Sequence, residues 1–351
     1  MALTTTTIGA FPKPDYVPVS DWFVLPQEGE AVALTERYAA ELAAAGDAAE
    51  ALFARATHAA IRDQVEAGID IPTDGEMRRE NYIHYHCRHL NGIDFDRLTD
   101  HAMRGNYRVR VPTITGPISA TAPFLPHDWR VAQAATSRPV KVTLPGPMTI
   151  ADSLADQYYG DATALAADIS VALNAEIRAL AEAGCTHIQV DEPVFARQVT
   201  PALDYGVENL AHCFHGLPES VTRITHVCLG YPDGIDRDNY PKAPGRAYLQ
   251  LADALNAAPL DQISIEDAHC HNDLAALLPH FKDSVVILGV VAIAASRIEP
   301  VPEISQRIRL ALKHIEADRL VIAPDCGLGF LGRGLALKKL RNMTEAARLL
   351  A

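Results

Sequence analysis

Ile224-Thr225-His226-Val227-Cys228-Leu229-Gly230 decides the reading of this chain. The segment is apolar and partly β-branched, so it reads as a short buried strand. It ends in His-x-Cys. Side chains two apart on a strand point to the same face. The imidazole of His226 and the sulfur of Cys228 are therefore expected to project together where the strand opens into a loop. A nitrogen and a sulfur donor placed so are half of a zinc site. Two further strand ends offer the rest: Glu266 closes Gln262-Ile263-Ser264-Ile265-Glu266-Asp267, and Cys326 follows Leu320 to Asp325. The central expectation is that His226, Cys228, Glu266 and Cys326 meet around one Zn2+.

Working outward, eight apolar strand-like runs are legible. They are Thr4 to Phe11, Ile69 to Glu76, Pro139 to Leu144, Thr186 to Pro193, the His-x-Cys segment, 262–267, Val285 to Val291, and 320–325. Helical periodicity runs from about Glu30 to Ala67, with a break near Gly46-Asp47, and again at Asp161 to Ala183, Glu303 to Ala317 and Leu335 to Leu350. Strands alternating with helices predict a single (β/α)8 TIM barrel of the α/β class, one domain over residues 1–351. Tyr107 to Ile118 alternates and reads as an antiparallel β excursion after the second strand region, outside the barrel. Polar residues cluster at the C-terminal ends of the apolar runs: Glu76, Asp191, Glu192, His226, Cys228, Glu266, Asp325 and Cys326. That is the catalytic face of such a barrel. A nucleotide-binding doubly wound sheet loses support, because no GxGxxG follows the first strand and no GxxxxGK[ST] occurs.

A formal net charge of -13 argues against nucleic acid or an anionic membrane as partner. No run of about 18 apolar residues occurs, and the start, MALTTTTIGAFPKP, lacks the pattern of a signal peptide. The expected compartment is cytoplasmic. The six cysteines form no CxxC, so each is expected to be a buried thiol, a ligand or a nucleophile.

Two thiolates and a carboxylate around Zn2+ leave a net negative site. Such a metal is a weak activator of water, and suits a thiol that must lose its proton and stay nucleophilic. Glu76 and Asp191 at the same rim are either solvated barrel ends or binders of a substrate ammonium, and the barrel mouth favours the second. Ala268-His269-Cys270-His271-Asn272-Asp273 holds three donors in three residues and could supply a zinc ligand in place of Glu266, or is a helix entry capped by Asn272 or Asp273, the reading preferred for Cys270. His269 and His271 lie close enough in sequence to Glu266 to border the site. No GxSxG and no HExxH is present.

These residues resemble the catalytic C-terminal half of cobalamin-independent methionine synthase. The landmarks are TTTIGAFPKP at 5–14 in part, DGEMRREN at 74–81, LPGPMTIAD at 144–152, IQVDEP at 188–193, THVC at 225–228, ISIED at 263–267 and APDCGL at 323–328. The resemblance implies zinc on His226, Cys228, Glu266 and Cys326. It implies homocysteine held through its amine by Glu76 and Asp191 and by backbone around Ile8 to Ala10, and methyl transfer to the zinc-bound homocysteine thiolate to give methionine.

Four departures fall mostly on the methyl-donor side. The serine of the family's IGSFP is Ala10, and its folate-stacking tryptophan is replaced near Ser153. Its DIHSPR segment is Ala292-Ile293-Ala294-Ala295-Ser296-Arg297, without the Asp or the proton-donating His. No duplicate N-terminal barrel precedes this one. The resemblance is thus to the short, single-barrel branch, with a donor other than the usual polyglutamylated methyl-folate: methylcobalamin, another corrinoid or another carrier, with a corrinoid or accessory protein as a candidate partner. Were a folate the donor, His269, His271 or Asp267 would have to supply the acid at its leaving nitrogen. Two alternatives stand beside this: a zinc-dependent alkyltransferase on another small thiol, of the epoxide–coenzyme M type, and a non-catalytic barrel that binds zinc or a thiol.

Overall fold

The computed structural model describes residues 3–21, 34–102, 108–231, 234–237 and 242–350. Seven parallel strands form one curled sheet: β1 (Thr4–Thr5), β4 (Lys141–Pro145), β6 (His187–Asp191), β7 (Thr222–Val227), β8 (Gln262–Ile265), β9 (Val285–Val291) and β10 (Leu320–Pro324), in the order β1-β10-β9-β8-β7-β6-β4. β9 and β10 are continuous apolar runs, as parallel strands covered on both faces tend to be; β4, β6, β7 and β8 mix apolar and polar residues, most of them buried. The interior holds an apolar layer of Ile8, Ile224, Ile287, Val321 and Ala323. His226 stands two residues beyond Ile224, so it shares that inward face one rung nearer the C-terminal rim.

A separate sheet carries the excursion. Here β2 (Leu90–Ala102) pairs antiparallel with β3 (Arg108–Ala120), and β5 (Ala155–Asp156) adds to β3 in parallel. The excursion lies where alternation placed it, apart from Tyr107, which is outside the described residues. Its first strand was not legible: Asp94, Asp96, Arg97, Asp100 and His101 make it read as loop, and two register shifts break its alternation.

The segment 69–76 corrects the expectation of a second full strand. It makes only two isolated parallel bridges, Thr6 with Ile71 and Thr73 with Lys141. Pro72 has no N–H to give a ladder. The Gln64 side chain takes the Thr73 backbone instead, accepting from its N–H at 3.0 Å and donating to its carbonyl at 2.9 Å. The first strand is likewise shorter than Thr4 to Phe11. Helices occupy Leu34–Ala45 and Ala49–Glu66, joined at Gly46–Ala48 where the break was expected; residues 30–33 of that expected run are outside the described set. Asp161 caps the helix Ala162–Ala183 through Thr163 N–H at 2.9 Å, and Asp273 caps Leu274–Leu277.

Candidate metal and thiol site

The ligand atoms of His226, Cys228 and Cys326 all lie within 4.8 Å of one another. β7 supplies the first two and the loop after β10 the third. The His226 ring is fixed on one side by Ser264 Oγ, 2.9 Å from Nδ1. Its Nε2 is buried and has no hydrogen-bond partner among the described residues. A buried imidazole nitrogen so exposed to nothing is costly unless something accepts its lone pair or proton. A metal fits that need: Zn–N of about 2.0 Å and Zn–S of about 2.3 Å are reached by small shifts from this spacing. The serine contact is the kind of outer hydrogen bond that orients a ligating imidazole. Cys326 hydrogen-bonds Cys228 and holds that thiol well below its ordinary pKa, with His226 adding to the effect. The same contact, with burial, pushes Cys326 up.

Glu266 is not part of this triad. Its Oε2 accepts from Leu229 N–H at 3.0 Å and its Oε1 is paired with Lys242. The carboxylate is buried and its pKa is raised to about 7, by burial first and then by Asp325, with Lys242 opposing. No sequence pattern pointed to Lys242, which comes from the segment between β7 and the helix Arg246–Ala257.

A second polar cluster is assembled around Glu76. It sits at φ 60°, a left-handed conformation unusual for a residue with a Cβ. Its Oε1 accepts from Thr143 Oγ1 at 3.0 Å and Arg79 Nη1 at 3.2 Å. Gly9 is required there, because a Cβ would stand 2.5 Å from that oxygen. Asp191, at the end of β6, accepts from Gln189 Nε2 at 2.7 Å, and burial raises its pKa to about 7. The same Gln189 amide donates to the Ile8 carbonyl at 2.8 Å. Ala10 meets the cysteine loop: its carbonyl accepts from Leu328 N–H at 2.7 Å, and a Cβ on Gly327 would stand 3.1 Å from its own Cβ.

The three candidate acids are placed otherwise. Asp267 is fully buried and bound to Arg307, whose Nη2 lies 2.7 Å from Oδ1 and whose Nε meets Oδ2; Asn272 donates to it twice more. Its oxygens are thereby engaged by Arg307 and Asn272. His269 accepts from Ile293 and Ala294 N–H at 3.0 and 3.2 Å through Nε2, and burial lowers its pKa to about 4, so the ring is neutral with no proton at that nitrogen. The His271 side chain is 69% exposed and turned to its own turn, Nδ1 to the Asp267 carbonyl at 2.8 Å. Arg307→Met should destabilise the protein by about 3–5 kcal/mol by leaving Asp267 buried without its cation; an unchanged denaturant midpoint would contradict this.

One organising group was passed over. Asp325 accepts from three successive backbone N–H groups: Asp267 and Ala268 on Oδ1 at 2.9 and 2.8 Å, His269 on Oδ2 at 2.6 Å. It ties the loop after β8 to the residue before Cys326. Gly289 makes room for it, since a Cβ there would stand 2.3 Å from Asp325 Oδ1. In the sequence it stands at a strand end beside Cys326, with nothing to mark these three donors.

A family model described as the cobalamin-independent synthase catalytic domain matches residues 3–349. Methionine synthase of Sulfolobus acidocaldarius is 29% identical over 348 residues, covering 98% of this chain and 91% of that protein. Its counterpart in Sulfurisphaera tokodaii is 27% identical, covering 99% and 92%. Among solved structures, a B12-independent methionine synthase from a Shewanella species, in complex with selenomethionine, superposes with a TM-score of 0.88 at 29% identity, covering 100% of this chain and 98% of that one. A Listeria monocytogenes protein at 18% identity and TM-score 0.70 shares the fold.

Proposed function

The chain belongs to the cobalamin-independent methionine synthase family, whose members are methyltransferases, and from that premise we propose that it methylates the sulfur of homocysteine at the His226–Cys228–Cys326 centre, giving methionine. The carrying observation is His226, whose Nε2 is buried and unpartnered among the described residues and whose ring offers a nitrogen within 4.8 Å of two cysteine sulfurs. These three residues would hold Zn2+, with Glu266 as an exchangeable fourth group. When bound, the metal would lower the pKa of an added thiol and keep its sulfur anionic at neutral pH.

The chain's own residues supply the rest. Glu76 and Asp191 would receive the substrate ammonium. The bonds described for each carboxylate fall on one oxygen, Oε1 of Glu76 and Oδ1 of Asp191, which leaves the other to face the amine. Backbone at Ile8 and Ala10 would border the amino-acid end. The sulfur's electron pair then forms the new S–CH3 bond as the bond from the methyl to its carrier breaks, so the two partners must be held in line. The bridges at 71–73 support reading that segment as the eighth stave closing a single (β/α)8 barrel, and residues 1–351 as one catalytic unit.

The donor is proposed to be methylcobalamin, another corrinoid or another carrier that leaves without protonation, delivered free or by an accessory protein. Among the described residues, the three candidate acids are tied up or turned away, which favours such a carrier over methyl-folate. No helix among the described residues is long and apolar enough to cross a membrane. A second reading, alkylation of another small thiol, is favoured by one observation: the methyl of Ala10 packs against the cysteine loop where the family has a hydroxyl.

Incubating the zinc-analysed protein with homocysteine and, in turn, methylcobalamin and mono- and polyglutamylated methyl-folate tests the proposal. About one zinc per chain and methionine from at least the corrinoid is the expected result. Coenzyme M as acceptor separates the second reading. A metal-free protein inert with every donor would refute both.

A further inference from the structure

Lys141 and Thr143 share one face of β4, because residues two apart on a strand return to the same side. Thr143 bonds Glu76, so that face looks into the site. β6 runs beside it in register, with Lys141 opposite His187, Thr143 opposite Gln189 and Pro145 opposite Asp191. Lys141 and Gln189 are therefore diagonal neighbours on one face of adjacent parallel strands.

Gln189 donates through Nε2 to both the Ile8 carbonyl and Asp191 Oδ1. Those two acceptors fix the amide's orientation, since a turned amide would set its oxygen against a carbonyl and a carboxylate. Its Oε1 is thereby turned away from them. That atom is buried and has no hydrogen-bond partner among the described residues. Lys141 is fully buried, and its Nζ likewise has no partner among the described residues. A lysine amine and an amide oxygen, a donor and an acceptor, are thus both left unsatisfied on one face of the same polar interior. Buried groups of this kind are normally joined by an ordered water. Burial lowers the Lys141 pKa to about 7, and Asp191 draws it back up, which places the ammonium within electrostatic reach of that carboxylate.

We propose that a buried water bridges Lys141 Nζ and Gln189 Oε1, and that the two side chains act as positioning residues which hold Asp191 and the Ile8 carbonyl for the substrate ammonium. The proposal rests on the methyltransferase reading of the site. Neither residue touches substrate. Their effect passes through Gln189 Nε2, so it should bear on recognition of the amine and not on the sulfur chemistry.

The test compares homocysteine with a simple alkanethiol, which has the sulfur and lacks the amine, on zinc-loaded wild type, Lys141→Met, Gln189→Met and the double variant. Each single variant should raise KM for homocysteine about tenfold with kcat within about threefold. Zinc content and affinity for the alkanethiol should stay unchanged. The double variant should lose no more than either single one, because both interrupt the same relay. A crystal structure of the unaltered protein should show a water within about 3 Å of both atoms, and it decides the bridge even where a variant fails to fold. Equal weakening toward both thiols, additive losses, or a direct Lys141–Asp191 contact in place of the water would overturn the proposal. A wild type that binds homocysteine no better than the alkanethiol would instead overturn the reading of the site on which the relay's role depends, while the crystallographic water is judged separately.

Discussion

Cys228→Ser should strip the metal from the protein and reduce methyl transfer by more than about 1,000-fold while leaving the fold intact. Cys228 is 2% exposed at the end of β7, and its thiol is the one held well below its ordinary pKa. A serine hydroxyl stays protonated at neutral pH, is a harder donor, and reaches less far. His226 Nε2 and Cys326 alone make a two-point grip, too weak for a competing chelator. The loss should register as zinc per chain falling from about one to near zero after brief chelator treatment, with the thermal midpoint of the metal-free forms unchanged. Glu266→Gln is the internal comparison. Its carboxylate is held by Leu229 N–H and Lys242, outside the triad, so its zinc loss should be smaller by at least about tenfold in affinity. Retention of zinc by Cys228→Ser would remove the centre from the argument altogether, whereas equal loss in the two variants would restore Glu266 as a full ligand.

How much of this was legible beforehand follows from what each residue depends on. The His-x-Cys pair was readable because strand alternation alone decides that His226 and Cys228 share a face, and the apolar run before them announces the strand. Cys326 came the same way, from the end of another continuous apolar run. Glu266 sat at a strand end too, but its direction is decided by Lys242, a residue 24 positions earlier, in a loop with no periodic signal. Asp267 looked like a candidate acid because the sequence does not reveal that Arg307 of a later helix is its partner. Segment 69–76 read as a strand by composition, and lost its ladder to Gln64, which reaches across from the preceding helix. Local pattern found what local backbone geometry dictates. Contacts between residues distant in sequence, such as Lys242 with Glu266 and Arg307 with Asp267, left no trace in it.

Asp325 is the sharpest case of such a contact, made here to distant backbone. Asp325→Ala should lower the stability of the protein by about 3–5 kcal/mol and weaken zinc binding as well. The carboxylate collects the N–H groups of Asp267, Ala268 and His269. Hydrogen bonds to a charged acceptor contribute about 1.5–3 kcal/mol each, and the alanine leaves three donors facing a gap that Gly289 cannot fill. Water entering the gap recovers part of the loss, which is why the expected total is below the simple sum. The melting temperature should fall by about 5–10 °C. Zinc affinity should fall with it, because Cys326 is the next residue and the loop from β8 no longer anchors its turn. Asp325→Asn separates charge from geometry. Its single amide oxygen can keep the Asp267 and Ala268 N–H groups, while its NH2 would meet the His269 N–H. A loss about half that of alanine means the three hydrogen bonds dominate; equal losses mean the negative charge does. An alanine variant with unchanged melting temperature and unchanged zinc affinity would show that Asp325 merely occupies the loop, and that Cys326 is placed by β10 alone.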